Sequence, residues 1–133
     1  MATFSIPVRV YWEDTDAGGV VYYANYLRFM ERARSDWLRS LGVDQAALLR
    51  DERRQFVVVE AQVRYHKAAR HDDLLWVSVE LEETRGASVV LAQEVRRGDA
   101  DGELLVSATI RAACVDTDSL RPRPLPAALA APS

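Results

Sequence analysis

A chain of 133 residues suits one domain of ordinary size. Apolar residues make up 49% of it, enough for a real core and too many for a disordered chain. The 17 basic and 20 acidic residues leave a net charge of -3, so no global attraction to nucleic acid is expected, although local basic clusters remain able to bind phosphates.

The N-terminus, Met1 to Val10, is polar and alternating and lacks the apolar core of a signal peptide. Phe4, Ile6, Val8, Val10 and Trp12 alternate with Ser5, Pro7, Arg9, Tyr11 and Glu13, which predicts a strand, and Pro7 places it at a sheet edge or an interrupted start. Asp14 to Gly19 is turn chemistry. The period then changes. Val20, Ala24, Leu27, Met30, Trp37, Leu38 and Leu41 recur at helical spacing, with Arg28, Glu31, Arg32, Ser35 and Arg39 on the other face. One long helix is predicted over Tyr23 to Leu41, stopped by Gly42. Asp44 reads as the N-cap of a short helix to Arg50, and Asp51 to Arg54 as a charged loop.

Four strands follow: Phe56 to Tyr65, Leu74 to Glu82, Ala87 to Arg96 and Leu104 to Val115. Their connectors are short and turn-rich, as antiparallel neighbours require. The single cysteine, Cys114, lies in the last strand. It excludes an internal disulfide and a thiolate metal cluster, and it suits a buried small side chain. The tail after Thr117 has four prolines and no periodicity, and 118–133 is expected to be partly ordered at best. The whole chain, 1–133, is thus expected to be a single α+β domain in which one helix buries its apolar stripe on a five-stranded antiparallel sheet. The sheet's free face and edge favour a homodimer or homotetramer. No run is long enough to cross a bilayer, so a cytoplasmic protein without membrane insertion is expected.

The segment with chemical potential is Asp14-Thr15-Asp16-Ala17-Gly18-Gly19. It leads into a helix start, whose first N–H groups lack internal partners and attract an anion or a developing oxyanion. A carboxylate beside such donors can act on a carbonyl that the donors hold. The plain alternative is a helix cap worth about 1 kcal/mol in an ordinary turn, and these residues alone favour it.

A longer match changes the balance. Arg9-Val10-Tyr11-Trp12-Glu13-Asp14-Thr15-Asp16-Ala17-Gly18-Gly19-Val20-Val21-Tyr22-Tyr23-Ala24-Asn25-Tyr26 resembles the active-site signature of the 4-hydroxybenzoyl-CoA thioesterase family. Leu27 to Arg34 and Ala61 to Leu75 are similar to the bacterial branch associated with the Tol-Pal cell-envelope system. The resemblance runs from Ile6 to about Asp116. It implies the hotdog fold and hydrolysis of acyl-CoA thioesters, without metal or other cofactor. It places the catalytic carboxylate at Asp16, a companion and more structural acid at Asp14, and the oxyanion donor at the backbone N–H of Tyr23. The Tol-Pal branch often carries His where Tyr23 stands; a backbone donor survives that change, whereas an imidazole contribution does not.

A thioester suits so small a catalytic set, because a thiol with a pKa of about 8.5 leaves with little help from an acid. Asp16 is then a nucleophile or a general base. Gly18, Gly19, Val20, Tyr26, Phe56 and Val58 are candidate substrate-binding residues. The resemblance also places a CoA-binding basic turn at Arg85-Gly86-Ala87-Ser88, of which only Arg85 is charged; Arg85, Ser88 and Lys67 are the candidate CoA contacts. Glu31 is a weaker candidate near the site. His66 and His71 sit in no nucleophile or metal constellation, which argues against a dehydratase of the same fold. The main rival is a non-catalytic protein that binds acyl-CoA or acyl carrier protein as a partner at the cell envelope.

Overall fold

The computed structural model describes residues 3–130. In chain order these form β1 (Phe4–Arg9), α1 (Asn25–Ser40), α2 (Gln45–Glu52), β2 (Arg54–Tyr65), β3 (Leu74–Arg85), β4 (Ser88–Arg97), β5 (Leu104–Asp116) and α3 (Ala127–Ala130). The five strands make one antiparallel sheet in the order β1-β3-β4-β5-β2. The first strand after the helices therefore lies at one edge and β1 at the other, where Pro7 lacks a ladder donor at little cost.

The apolar stripe of α1 is Tyr26, Phe29, Met30, Ala33, Trp37 and Leu38, all buried. It packs across β1, β3 and β4, against inward-facing side chains such as Val77, Val79, Val89 and Leu91. This is the α+β hotdog arrangement that the sequence implies. Cys114 is buried within the same core, and burial pushes its thiol pKa up, as befits an inert side chain.

Two boundaries differ from the expected ones for local reasons. The first strand stops at Arg9, because Asp14 Oδ2 accepts the Tyr11 N–H at 2.9 Å and closes a 3-10 turn over Trp12–Asp14. The helix begins at Asn25, since the Asn25 N–H donates to the Tyr22 carbonyl in a preceding turn. Other signals hold. Gly42 adopts φ +83 beyond α1. Asp44 Oδ1 accepts the Ala47 N–H at 3.1 Å and caps α2.

The tail departs most from expectation. Val115 bridges Pro122, and the N–H of Arg123 donates to the Cys114 carbonyl at 2.9 Å. Leu125 and Leu129 are 6% and 1% exposed and belong to the core. Two leucines four residues apart among prolines and alanines are too sparse a pattern to register as periodicity, yet each buries a full side chain and pins the tail to the core, while 118–122 stay exposed.

Candidate active site

The Asp-Gly turn is anchored from both sides. Thr15 and Val21 form an antiparallel bridge, and between them the Asp16 N–H donates to the Val20 carbonyl at 2.9 Å and the Gly19 N–H to the Asp16 carbonyl at 3.0 Å. Gly19 takes φ +79, a conformation that favours glycine. On the other side the turn joins the β2–β3 loop: Val20 bridges Arg70, the Val21 N–H donates to the Ala69 carbonyl, and the His71 N–H donates to the Gly19 carbonyl.

The two aspartates of the motif do different work. Asp14 is only 8% exposed. Besides the Tyr11 N–H, its carboxylate accepts the Asn25 side-chain amide at 2.8 Å, and its carbonyl accepts the Tyr22 N–H. It ties the strand end to the helix start and has no oxygen to spare. Asp16 is exposed. Its Oδ1 accepts the Gly18 N–H at 2.8 Å, while Oδ2 accepts no hydrogen bond among the described residues. One oxygen orients the carboxylate and the other is presented to whatever docks. A Cβ at Gly18 would stand 3.3 Å from Asp16 Oδ1, so the glycine keeps this approach clear.

The donor expected opposite the carboxylate is also available. The Tyr23 N–H, at the entrance to α1, donates to no protein acceptor among the described residues. The positive end of the α1 dipole adds to it. The exposed Tyr23 ring meets Tyr22 at 5.0 Å and Tyr65 of β2 at 6.0 Å between centroids.

The remaining candidates divide. Gly18, Gly19 and Val20 share the turn with Asp16. Tyr26 lies beneath it in the core, 3% exposed, and its hydroxyl accepts the Ala69 N–H at 2.9 Å. Its role is to hold the loop that holds the turn. Phe56 and Val58 line a separate cavity beside α1, together with Glu31. Lys67 lies at the Asp16 end of the sheet, paired with Glu103 at 2.7 Å. Arg85 and Ser88 do not join Asp16 within one chain. They flank the β3–β4 turn, eleven residues of strand beyond Leu74, the residue that pairs with Arg9 at the strand end before the Asp16 turn. That is about 36 Å along an extended strand. There Arg85 pairs with Glu83 at 2.7 Å, and the Ser88 hydroxyl donates to the Arg85 carbonyl at 3.0 Å.

Both histidines have structural partners. His66 Nε2 lies 2.9 Å from the Ser107 hydroxyl, and the His71 ring stacks on Trp12 at 3.4 Å. Among the described residues no group of three or more His, Cys, Asp and Glu is placed to hold a metal ion. Sequence reasoning missed Asn25 as the clamp on Asp14, although a carboxamide at a helix start facing a buried acid was a usable signal. It also passed over Arg34, whose helical position puts it on the apolar flank with Leu27 and Leu38.

Comparison with known proteins follows the same lines. The sequence matches the thioesterase-like superfamily over residues 10–132. It is 46% identical over 123 residues to the acyl-CoA thioesterase YbgC of Haemophilus influenzae, covering 92% of this chain and 88% of that protein. It is 45% identical over 128 residues to the acyl-CoA thioester hydrolase YbgC of Escherichia coli, covering 96% and 93%. The crystal structure of a probable thioesterase from Bartonella henselae superposes with a TM-score of 0.87 at 34% identity, covering 94% of this chain and all of that one (100%).

Proposed function

The chain belongs to the thioesterase-like superfamily, and from that membership we propose an acyl-CoA thioesterase in which Asp16 is the catalytic carboxylate and the Tyr23 N–H the oxyanion donor. The observation that carries the site assignment is the pair of unclaimed groups at the head of α1: the free Oδ2 of Asp16 and the free N–H of Tyr23. The thioester carbonyl oxygen takes the N–H, where negative charge develops as the carbon becomes tetrahedral. Asp16 then acts by one of two routes. As a base it takes a proton from a water that attacks the carbonyl carbon. As a nucleophile it attacks directly, the C–S bond breaks, CoA leaves as thiolate, and water hydrolyses the mixed anhydride. Label in Asp16 after a single turnover in isotopically labelled water marks the nucleophilic route with water attacking the aspartyl carbonyl. Attack at the acyl carbonyl labels only the product, as the base route does, so trapping the anhydride with hydroxylamine completes the separation.

Asp16→Asn keeps the Oδ1 acceptor for Gly18 and removes the charge. The expected result is a fall in thiol release of about a hundredfold or more with the melting temperature preserved. Turnover at the wild-type rate would sink the role of Asp16. If the wild-type protein releases thiol from no acyl-CoA, the chain acts as a binding protein instead.

Four finer points belong to the same reading. The enzyme works in the cytoplasm, where acyl-CoA is made; no described helix is long and apolar enough to span a membrane. It acts as a homodimer or homotetramer in which the Arg85–Ser88 turn of one copy serves the Asp16 site of another, since one chain holds them at opposite ends of its sheet. Acyl carrier protein is a second thioester donor: Arg28, Arg32, Arg64 and Arg70 are exposed, and none lies within ion-pair distance of a described carboxylate, so each can pair with an acidic carrier. Association with the Tol-Pal envelope system completes the proposal, and retention of Tol or Pal components on the immobilised protein tests it.

A further inference from the structure

Arg34 differs from the other arginines that are partly withdrawn from water. Arg54, Arg96, Arg97 and Arg123 each lie within ion-pair distance of a carboxylate, on Glu52, Glu94, Asp73 and Asp116 respectively. Arg34 is half-buried, yet no carboxylate among the described residues comes that close. Its one hydrogen-bond partner among the described residues is neutral: Nη1 donates to Gln93 Oε1 at 2.9 Å. Gln93 is only 1% exposed, and its amide nitrogen is committed to the carbonyls of Met30 at 3.0 Å and Ser78 at 3.2 Å. Those two acceptors decide which way the amide points, so its oxygen must face Arg34. The guanidinium is therefore held in place with one of its five N–H donors engaged.

Withdrawal from water pushes the Arg34 pKa down, and the nearby Glu31 charge opposes the shift. Glu31 is itself exposed and hydrogen-bonded to the Ser35 hydroxyl at 3.0 Å. A cation held this way, with its nearest carboxylate, Glu31, beyond ion-pair distance and bonded to Ser35, is costly in an empty site and matched to an anion that enters it.

Arg34 borders the cavity of about 170 Å³ that Phe56 and Val58 line, with Trp37, Leu38 and Leu91 among its apolar walls and Glu31 and Gln45 on its polar side. A cavity near this size accepts a benzene-sized ligand. It also lies in line with the reaction site. Leu27, Glu31, Arg34 and Leu38 recur at spacings of four and three and so share one flank of α1. The β2 strand faces that flank at both ends: Tyr65 meets the Tyr23 ring at 6.0 Å, and Val58 and Phe56 line the cavity. From Asn25, two residues past Tyr23, to Arg34 is about 14 Å of helix rise. The arginine leans back toward the helix start and shortens the gap.

We propose that Arg34 determines acyl specificity by receiving a terminal carboxylate, so that the preferred substrates are CoA thioesters of medium-length dicarboxylic acids. This rests on the thioesterase reading above. The methylene segment runs along the α1 flank past Leu27 to the apolar cavity walls. The far carboxylate takes two of the free guanidinium donors side by side, a match that a terminal methyl cannot make.

The test compares acyl groups of equal length: adipyl- with hexanoyl-, suberyl- with octanoyl-, and sebacyl- with decanoyl-CoA. In the wild-type protein kcat/KM is expected to favour the carboxylate-ended member of at least one pair by about tenfold or more, mainly through KM. In Arg34→Leu that ratio is expected to collapse to about one or invert. Arg34→Lys, which keeps the charge without the fork, is expected to fall between and guards against misfolding of the leucine variant. A wild-type ratio of one or less in every pair overturns the proposal, and so does a ratio that Arg34→Leu leaves unchanged. If no thioester is hydrolysed the thioesterase reading fails by itself. Calorimetric binding of suberyl- and octanoyl-CoA to wild type and Arg34→Leu then decides the role of Arg34, with equal affinities overturning it.

Discussion

Neighbouring glycines in the Asp16 turn do different jobs, and their failures are separable. Gly19 adopts φ +79 with open space around its Cα, so a side chain there strains only the backbone. Gly18 has an ordinary φ, but a Cβ would stand 3.3 Å from Asp16 Oδ1. Gly19→Ala is therefore expected to cost about 1–2 kcal/mol of stability. Gly18→Ala is expected to leave the melting temperature nearly unchanged while displacing the carboxylate, lowering kcat about tenfold. Thermal melts and thiol-release kinetics on both variants check this, and equal stability losses would refute the division. At this scale the sequence was informative about residue types and less so about partners. Asp16, Gly18 and Gly19 were legible because turn chemistry has to be local. The clamp of Asn25 on Asp14 spans eleven positions and the contact of Arg34 with Gln93 spans 59; both depend on packing that no local pattern encodes.

Among the elements, periodicity located the long helix and all five strands, because α1 and the sheet each bury one face and a buried face writes its period into the chain. The tail escaped because its hold is mostly polar and backbone-mediated. Asp116, the last residue of β5, accepts the N–H groups of Asp118 and Ser119, both at 2.9 Å, and Arg123 Nη1 at 3.1 Å. Those contacts turn the chain back so that Leu125 and Leu129 reach the core. The two N–H donors, and then Arg123, hold the Asp116 carboxyl below the usual carboxylate range. Folding thus favours the ionised form. The stabilisation is complete above the ordinary carboxyl pKa and is lost as pH falls through the depressed folded value. Asp116→Asn is expected to lower the melting temperature at neutral pH. The gap between variant and wild type should close as both are acidified, and a gap that persists or widens in acid would show that Asp116 does not anchor the tail through its charge.

At the scale of the whole molecule, the proposed composite site rests on the sheet's geometry. The Asp16 turn lies where β1 ends and β3 begins, while Arg85 and Ser88 lie at the far end of β3. The β2 edge is twelve residues long, and Val58 and Val59 upon it are 49% and 45% exposed. Such an edge invites pairing. If two β2 strands meet antiparallel about a twofold axis, the Tyr65 end of one lies beside the Arg54 end of the other. The Arg54 end neighbours Asp116 on β5, and the Ser88 turn pairs with Ala113 on the same strand. Each catalytic turn then faces its partner's Arg85 turn, and every site is composite. Complementation follows as a prediction. Asp16→Asn alone is expected to be inactive, and Arg85→Glu alone to show a raised KM for acyl-CoA through repulsion of the CoA phosphates. A heterodimer of the two carries one site with both defects and one with neither. Mixing the variants under conditions that exchange subunits should recover a wild-type KM at up to half the wild-type rate per dimer. Absence of recovery despite proven exchange would mean that Arg85 serves no neighbouring site, and the CoA phosphates would have to be sought by Lys67 and the exposed arginines at the Asp16 end of the same chain.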